Sequence, residues 1–162
     1  MDAFDLIQQK LRAASCVYEI LDHAPVYTME DVARELSIPE ESQVKTMVVR
    51  LRTETGQEPL LCGIGPKARL DLKGVAAHLG IPRARLSLMT PEETEAALKM
   101  PRGAIGLIAP DTSPRVLIDR KFEGCPVLSC GMGRHDRTLK ISWAELQKLG
   151  VFESSKIARA EV

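Results

Sequence analysis

Aromatic side chains are scarce in this chain. Phe, Tyr and Trp make up 4% of its 162 residues, so Leu, Val, Ile and Ala have to fill the core. Long apolar runs are missing too: the longest, Gly103 to Pro110, is far too short to span a bilayer, and no membrane partner is expected. The N-terminus reads Met1-Asp2-Ala3-Phe4-Asp5, acidic where a secretory leader is basic, and no apolar leader core follows. Together these absences predict a soluble cytoplasmic protein. Cys16, Cys62, Cys125 and Cys130 form no C-x-x-C pair and show no disulfide-framework spacing. Cys125, Cys130 and His135 lie close in sequence, but zinc ligands usually come as tight pairs and a fourth ligand is not evident, so no metal is expected. Net charge is absent as well, at +0, and nothing global announces a nucleic acid; no DNA partner is expected.

The charge that is present is unevenly placed. Met1 to Glu58 carries 11 acidic and 6 basic residues, whereas Lys67 to Lys140 carries 8 acidic and 13 basic. The second stretch can therefore offer a modest phosphate-facing surface, if its charges are not simply solvated. At this length, with 44% hydrophobic and 27% charged residues, the chain can bury a real core as one domain over 1–162. Its core is expected at about 17–149, and 151–162 as a loosely held tail.

Short elements alternate along the sequence. Asp2 can cap a helix whose Phe4, Ile7, Leu11 and Ala14 share one face. Thr28 with Asp31, Thr90-Pro91-Glu92-Glu93 and Ser142 with Glu145 are capping boxes that open three more helices, and Asp71 starts another that Gly80 stops. Strands are predicted at Val17–Leu21, Lys45–Thr53, Pro59–Ile64, Ile105–Ala109, Val116–Ile118, Val127–Ser129 and Thr138–Ile141. This order lacks a strict βαβ rhythm. It predicts an α+β fold, a curved, barrel-like mixed sheet surrounded by helices, rather than a doubly wound one. Gly63-Ile64-Gly65-Pro66 and Gly131-Met132-Gly133 fit neither a Rossmann nor a Walker pattern, so no dinucleotide cofactor, and no other cofactor, is expected.

Four patches carry chemistry-capable residues: His23-Ala24-Pro25-Val26-Tyr27-Thr28, Val44-Lys45-Thr46-Met47, Arg69-Leu70-Asp71-Leu72-Lys73, and the glycine loop from Arg102 to Leu107. A further strand end, Ser129-Cys130-Gly131-Met132-Gly133-Arg134, follows downstream. Singly, each has a plain structural role: a snorkelling lysine, a turn histidine, a solvated helix start, glycines for turns. A nucleophilic hydrolase built on Cys130, His135 and Asp136 is disfavoured, because triad members come from separate elements.

The order of the patches resembles the YbaK/prolyl-tRNA synthetase-associated domain family. His23…Thr28, Lys45-Thr46-Met47-Val48, Leu70-Asp71-Leu72-Lys73, the glycine loop and Ser129-Cys130-Gly131 carry the resemblance, with Pro91 to Glu95 and Val116-Leu117-Ile118-Asp119 between them. It covers roughly His23 to Leu149. The resemblance implies a free-standing, trans-editing aminoacyl-tRNA deacylase that hydrolyses, without a metal, the ester of tRNA mischarged with a small amino acid of the Ala/Ser/Thr/Cys class. The implied partner is the 3′ acceptor end of aminoacyl-tRNA, with a synthetase as a further possible partner.

Roles follow residue by residue. Lys45 matches the family lysine that holds the phosphate or ribose of the terminal adenosine. Gly103 and Gly106, with Ala104, Ile105 and Leu107, match the loop whose backbone grips the aminoacyl group and places the attacking water. His23 and Thr28 match polar pocket positions, and Ser129, Cys130 and Gly131 its far wall; Thr46, next to Lys45, is expected in the same pocket. Apart from the resemblance, Lys67, Arg69 and Lys73 cluster near one helix start whose dipole favours phosphate, and are expected to face tRNA. Where the family loop reads Gly-x-x-x-Pro, this chain has Leu107; the register Gly106 to Pro110 would restore the proline. The alternative reading, from another class, is a non-catalytic tRNA- or synthetase-binding module of the same fold.

Overall fold

The computed structural model describes residues 1–160. Asp2 caps α1 (Ala3–Ala13), with a reciprocal bond from Asp5, and Ile7 and Leu11 form its buried stripe. After β1 (Tyr18–Asp22), Thr28 and Asp31 make the second capping box, opening α2 (Met29–Glu35). The hairpin of β2 (Lys45–Thr53) and β3 (Gly56–Ile64) runs in continuous register from Lys45↔Ile64 to Thr53↔Gly56. A two-residue strand, β4 (Arg69–Leu70), leads into α3 (Leu72–Leu79), which Asp71 caps and Gly80 ends at φ +68°. Then come β5 (Leu86–Leu88), α4 (Pro91–Leu98) under its Thr90 cap, and β6 (Val116–Asp119). The chain closes with β7 (Leu128–Gly131), β8 (Arg137–Ile141), α5 (Trp143–Leu146), β9 (Phe152–Ser155) and β10 (Ala158–Arg159).

The architecture is α+β, with strands in three sheets. Five strands pair in the order β5-β2-β3-β6-β9, antiparallel except for β3-β6 and β6-β9. A second sheet has the order β1-β8-β7, and β4 pairs with β10 in a third. The expected barrel is not closed: among the described residues the first two sheets meet at an isolated bridge between Gln43 and Ser129. The five-stranded sheet is buried on both faces, which is why its strands read as near-continuous apolar runs. Leu61, Val116 and Ile118 face a large core shared with Ile7, Leu11, Leu128, Leu139 and Ile141. Their neighbours Leu60, Cys62, Ile64 and Leu117 point the other way, onto Val75 and Ala76 of α3.

Two further expectations are corrected. Ile105–Ala109 is not a strand; the segment is irregular, although Leu107, Ile108 and Ala109 are buried. Its apolar run is satisfied by burial alone, and the positive φ of Gly103 together with Pro110 breaks a ladder on either side. Residues 152–159 of the expected tail are no loose end either. β9 adds to the edge of the main sheet beside β6, Phe152 and Ile157 are buried, and Asp119 Oδ1 accepts the backbone N–H groups of Ile157 and Ala158, each at 3.2 Å. No described helix is long and apolar enough to cross a membrane.

Candidate functional site

A cavity of about 240 Å³ opens where the two larger sheets meet. Its walls come from four chain segments: the turn and first residues of α2 (Val26 to Met29, and Val32), the start of β2 (Gln43 to Thr46), the glycine loop (Gly103 to Ile105), and the β7–β8 region (Ser129 to Gly131, Arg134, Arg137 and Thr138). At this seam the two sheets are joined by hydrogen bonds as well as by the core they share. Val44 N–H donates to the Ser129 carbonyl at 2.9 Å, and Ser129 Oγ donates to the Ser42 carbonyl at 3.3 Å. These bonds hold the mouth of β2, and with it Lys45, against the strand opposite.

Lys45 is half-buried, and its Nζ reaches the carbonyls of Ala68 and Pro66 at 3.2 and 3.4 Å. The ammonium thus ties β2 to the turn before β4 and still lines the cavity. Beside it, Thr46 Oγ1 is buried without a hydrogen-bond partner. Across the cavity, Gly103 adopts φ +84°, and a Cβ there would stand 2.7 Å from the Tyr27 carbonyl oxygen. A Cβ on Gly106 would stand 1.8 Å from the Gly131 carbonyl oxygen, so two backbones touch at a point only glycine allows. Gly133 N–H donates to the Ala104 carbonyl at 2.8 Å, fastening the same two segments again. Among the described residues, the N–H groups of Gly103, Ile105 and Gly106 donate to no protein acceptor within hydrogen-bonding reach.

Charge at the mouth is largely paired. Arg134 grips Asp136 through both carboxylate oxygens at 3.0 Å, and Arg137 reaches Asp136 at 3.1 Å and Asp22 at 2.8 Å. The Arg134 hydrogen bonds hold the Asp136 carboxyl below the usual carboxylate range. Asp31 is lowered as well, chiefly by the Tyr27 N–H. Cys130 lies in the cavity wall with its thiol pushed up to about 11 by burial, against a smaller opposing pull from the Leu107 N–H. Such a thiol is neutral at ordinary pH and is no activated nucleophile.

The sequence-predicted site residues divide into four groups. Thr28, Lys45, Thr46, Gly103, Ala104, Ile105, Ser129, Cys130 and Gly131 line this one cavity. Gly106 stands behind it as a packing point. His23 and Leu107 are elsewhere. His23 faces another groove, its Nδ1–H donating to the Ala24 carbonyl at 2.7 Å and its Nε2 accepting from Thr138 Oγ1 at 2.8 Å. Leu107 turns its side chain into the core against Gly63, leaving the cavity wall to its neighbours. Lys67, Arg69 and Lys73 do not line the cavity: Lys67 lies in the turn that Lys45 holds and pairs with Glu40 at 3.1 Å, Arg69 is in β4 and Lys73 in the first turn of α3. Sequence reasoning missed Met29, Val32, Gln43, Arg134, Arg137 and Thr138 as lining residues; only Arg134 had a signal, adjoining the Gly131-Met132-Gly133 run. No group of three or more His, Cys, Asp or Glu side chains converges as metal ligands among the described residues.

Comparison with known proteins identifies the family. The family profile for the aminoacyl-tRNA editing domain matches residues 23–149. A prolyl-tRNA editing protein, ProX, from Acetoanaerobium sticklandii is 24% identical over 153 residues, covering 92% of this chain and 91% of that protein. A crystal structure of a candidate trans-editing enzyme for prolyl tRNA synthetase superposes with a TM-score of 0.78 at 19% identity, covering 99% of both chains. A hypothetical protein of solved structure superposes at 0.79 with 21% identity, over 95% of this chain and 99% of that one.

Proposed function

Because the chain belongs to the aminoacyl-tRNA editing domain family, we propose that it is a free-standing deacylase that hydrolyses the ester of tRNA mischarged with a small amino acid. The observation that carries this reading is the cavity itself, with a lysine on one wall and acceptor-free backbone donors on the other. Lys45 would hold the 3′-terminal nucleotide. The Gly103 and Ile105 N–H groups would meet the ester carbonyl. Water attacks the carbonyl carbon, the negative charge passes to the carbonyl oxygen, and collapse releases the ribose oxygen, which takes up the proton the water gives. The products are the free amino acid and a tRNA with its hydroxyl restored.

Such chemistry needs few special side chains. The ester is already activated, and holding it in line with a water can supply several kcal/mol, up to about 7–11 in favourable cases. Each donor aimed at the developing oxyanion adds about 2.7–4 kcal/mol. A metal has no task in this scheme, so activity should survive exhaustive chelation; loss on chelation with recovery on adding zinc would count against it. The resemblance favours alanine, serine, threonine or cysteine over bulkier residues. Discrimination among these is modest, since one methylene is worth about 1–3 kcal/mol.

Single-turnover hydrolysis of tRNAs charged with alanine, serine, threonine, cysteine and proline tests the reading. Turnover of at least one small ester, with Lys45→Ala losing most of it, is expected. The second reading, a binding module without catalysis, is favoured by Leu107 where the family has proline. It predicts tRNA binding with no turnover of any of the five esters.

A further inference from the structure

We infer that His135 is a positioning residue that sets the orientation of the glycine loop over the cavity. His135 lies on the β7–β8 connection, and its Nε2–H donates to the Arg102 carbonyl at 2.6 Å. Its ring packs on Tyr27 with centroids 4.4 Å apart and planes tilted by 36°. Its own carbonyl accepts the Val26 N–H at 2.8 Å. One residue thereby joins the turn before α2, the start of the glycine loop and the β7–β8 connection, three of the four walls of the cavity.

The consequence for the loop follows from peptide geometry. In a trans peptide the C=O and the N–H of the next residue point in opposite directions, and the chain has no cis bonds among the described residues. The β7–β8 connection takes two carbonyls of the loop: Arg102 through the His135 ring, and Ala104 through the Gly133 N–H at 2.8 Å. The N–H groups in those same two peptides belong to Gly103 and Ile105, which then face away from that connection. Arg102 is fixed from the other side too. Its N–H donates to Glu95 and its guanidinium to Glu92, each at 2.8 Å, so α4 holds the residue while His135 chooses the tilt of its carbonyl. Gly103 has no torsional preference of its own that would keep this tilt. Without the imidazole the Arg102–Gly103 peptide is free to rotate, and the Gly103 donor leaves its bearing.

The inference rests on the deacylase reading, and its test separates the two. His135→Gln keeps an amide N–H near the place of Nε2 but loses the ring; His135→Phe keeps the ring and loses the donor. In single-turnover and steady-state assays, Phe and Ala should lower kcat by about tenfold or more, short of the 10²–10³ for deleting a donor outright. KM should change by less than about twofold, because Lys45 still holds the nucleotide, and Gln should stay within about threefold of wild type. A Phe variant with wild-type kcat, or a Gln variant as slow as Phe, overturns the inference. Amide exchange of Ala104 and Gly133 gives a readout that needs no substrate. Faster exchange in Phe than in Gln supports the latch, and unchanged exchange in Phe refutes it even if the wild type proves to hydrolyse no ester.

Discussion

At the scale of single residues, the cavity wall and the packing behind it contain one group that looks reactive and two glycines that look merely permissive, and close surroundings reverse both impressions. Cys130 lines the cavity, yet its thiol, pushed up to about 11, is protonated across the working range, so it cannot attack an ester. Cys130→Ala should therefore keep its rate within a few-fold, and iodoacetamide at pH 7.5 should leave Cys130 unlabelled in the folded protein; rapid inactivation by the reagent at that residue would disprove this. The glycines act through packing. Gly103→Ala has to hold φ +84° and push Tyr27 back from 2.7 Å, a strain of order 1–3 kcal/mol. Gly106→Ala would place a Cβ 1.8 Å from the Gly131 carbonyl oxygen, which only a shift of backbone can relieve. Thermal denaturation should rank Gly106→Ala well below Gly103→Ala, and the reverse order would mean that the loop and β7 are not in contact.

At the scale of elements, the caps were legible and the edges were not. Thr28 with Asp31, Thr90 with Glu93 and Ser142 with Glu145 announce helix starts through local chemistry, and the helices begin there. β2 was legible from its β-branched, apolar run, and β3 as the apolar run that follows the Thr55-Gly56 turn. The segment 105–109 misled, since an apolar run records burial and not pairing. The tail misled in the opposite sense: among its described residues Phe152 and Ile157 are the large apolar side chains deep in the cores, and their partners β6 and α3 lie far back in sequence. Parallel addition of β9 to β6, with Asp119 accepting from Ile157 and Ala158, makes residues 152–158 structural. Truncation after Gly150 strips one edge of the main sheet and exposes Leu117 and Val75. It should cost more than the 3–5 kcal/mol typical of losing one large core side chain, giving an insoluble or molten product by circular dichroism. A truncated chain melting within a few degrees of the full one would show the tail dispensable.

For the whole molecule, the balance of charge settles how a neutral protein can meet a polyanion. With no net charge, long-range attraction is weak, and affinity has to come from a few local cations. The sequence placed Lys67, Arg69 and Lys73 in one cluster, but it could not show that β10 brings Arg159 directly opposite Arg69. Like charges at paired positions repel across a ribbon, and a phosphate between them relieves that repulsion. Lys67 contributes less, because Glu40 already stands 3.1 Å away, though an exposed pair of this kind is worth little either way. Lys45 lines the cavity and bonds the Pro66 and Ala68 carbonyls of the turn that carries Lys67 and precedes Arg69, so an acceptor stem lying on the cluster would have its 3′ end near Lys45. Binding of tRNA should then weaken with salt with a shallow slope set by two or three contacts, each worth about 0.7–0.9 in log K per log salt. Arg69→Glu and Arg159→Glu should each lower that slope by about one contact, and Lys67→Glu by less. If Arg159→Glu leaves both affinity and slope unchanged at low salt while Arg69→Glu reduces them, the ribbon is not part of the tRNA path, and the stem approaches over α3 through Lys73.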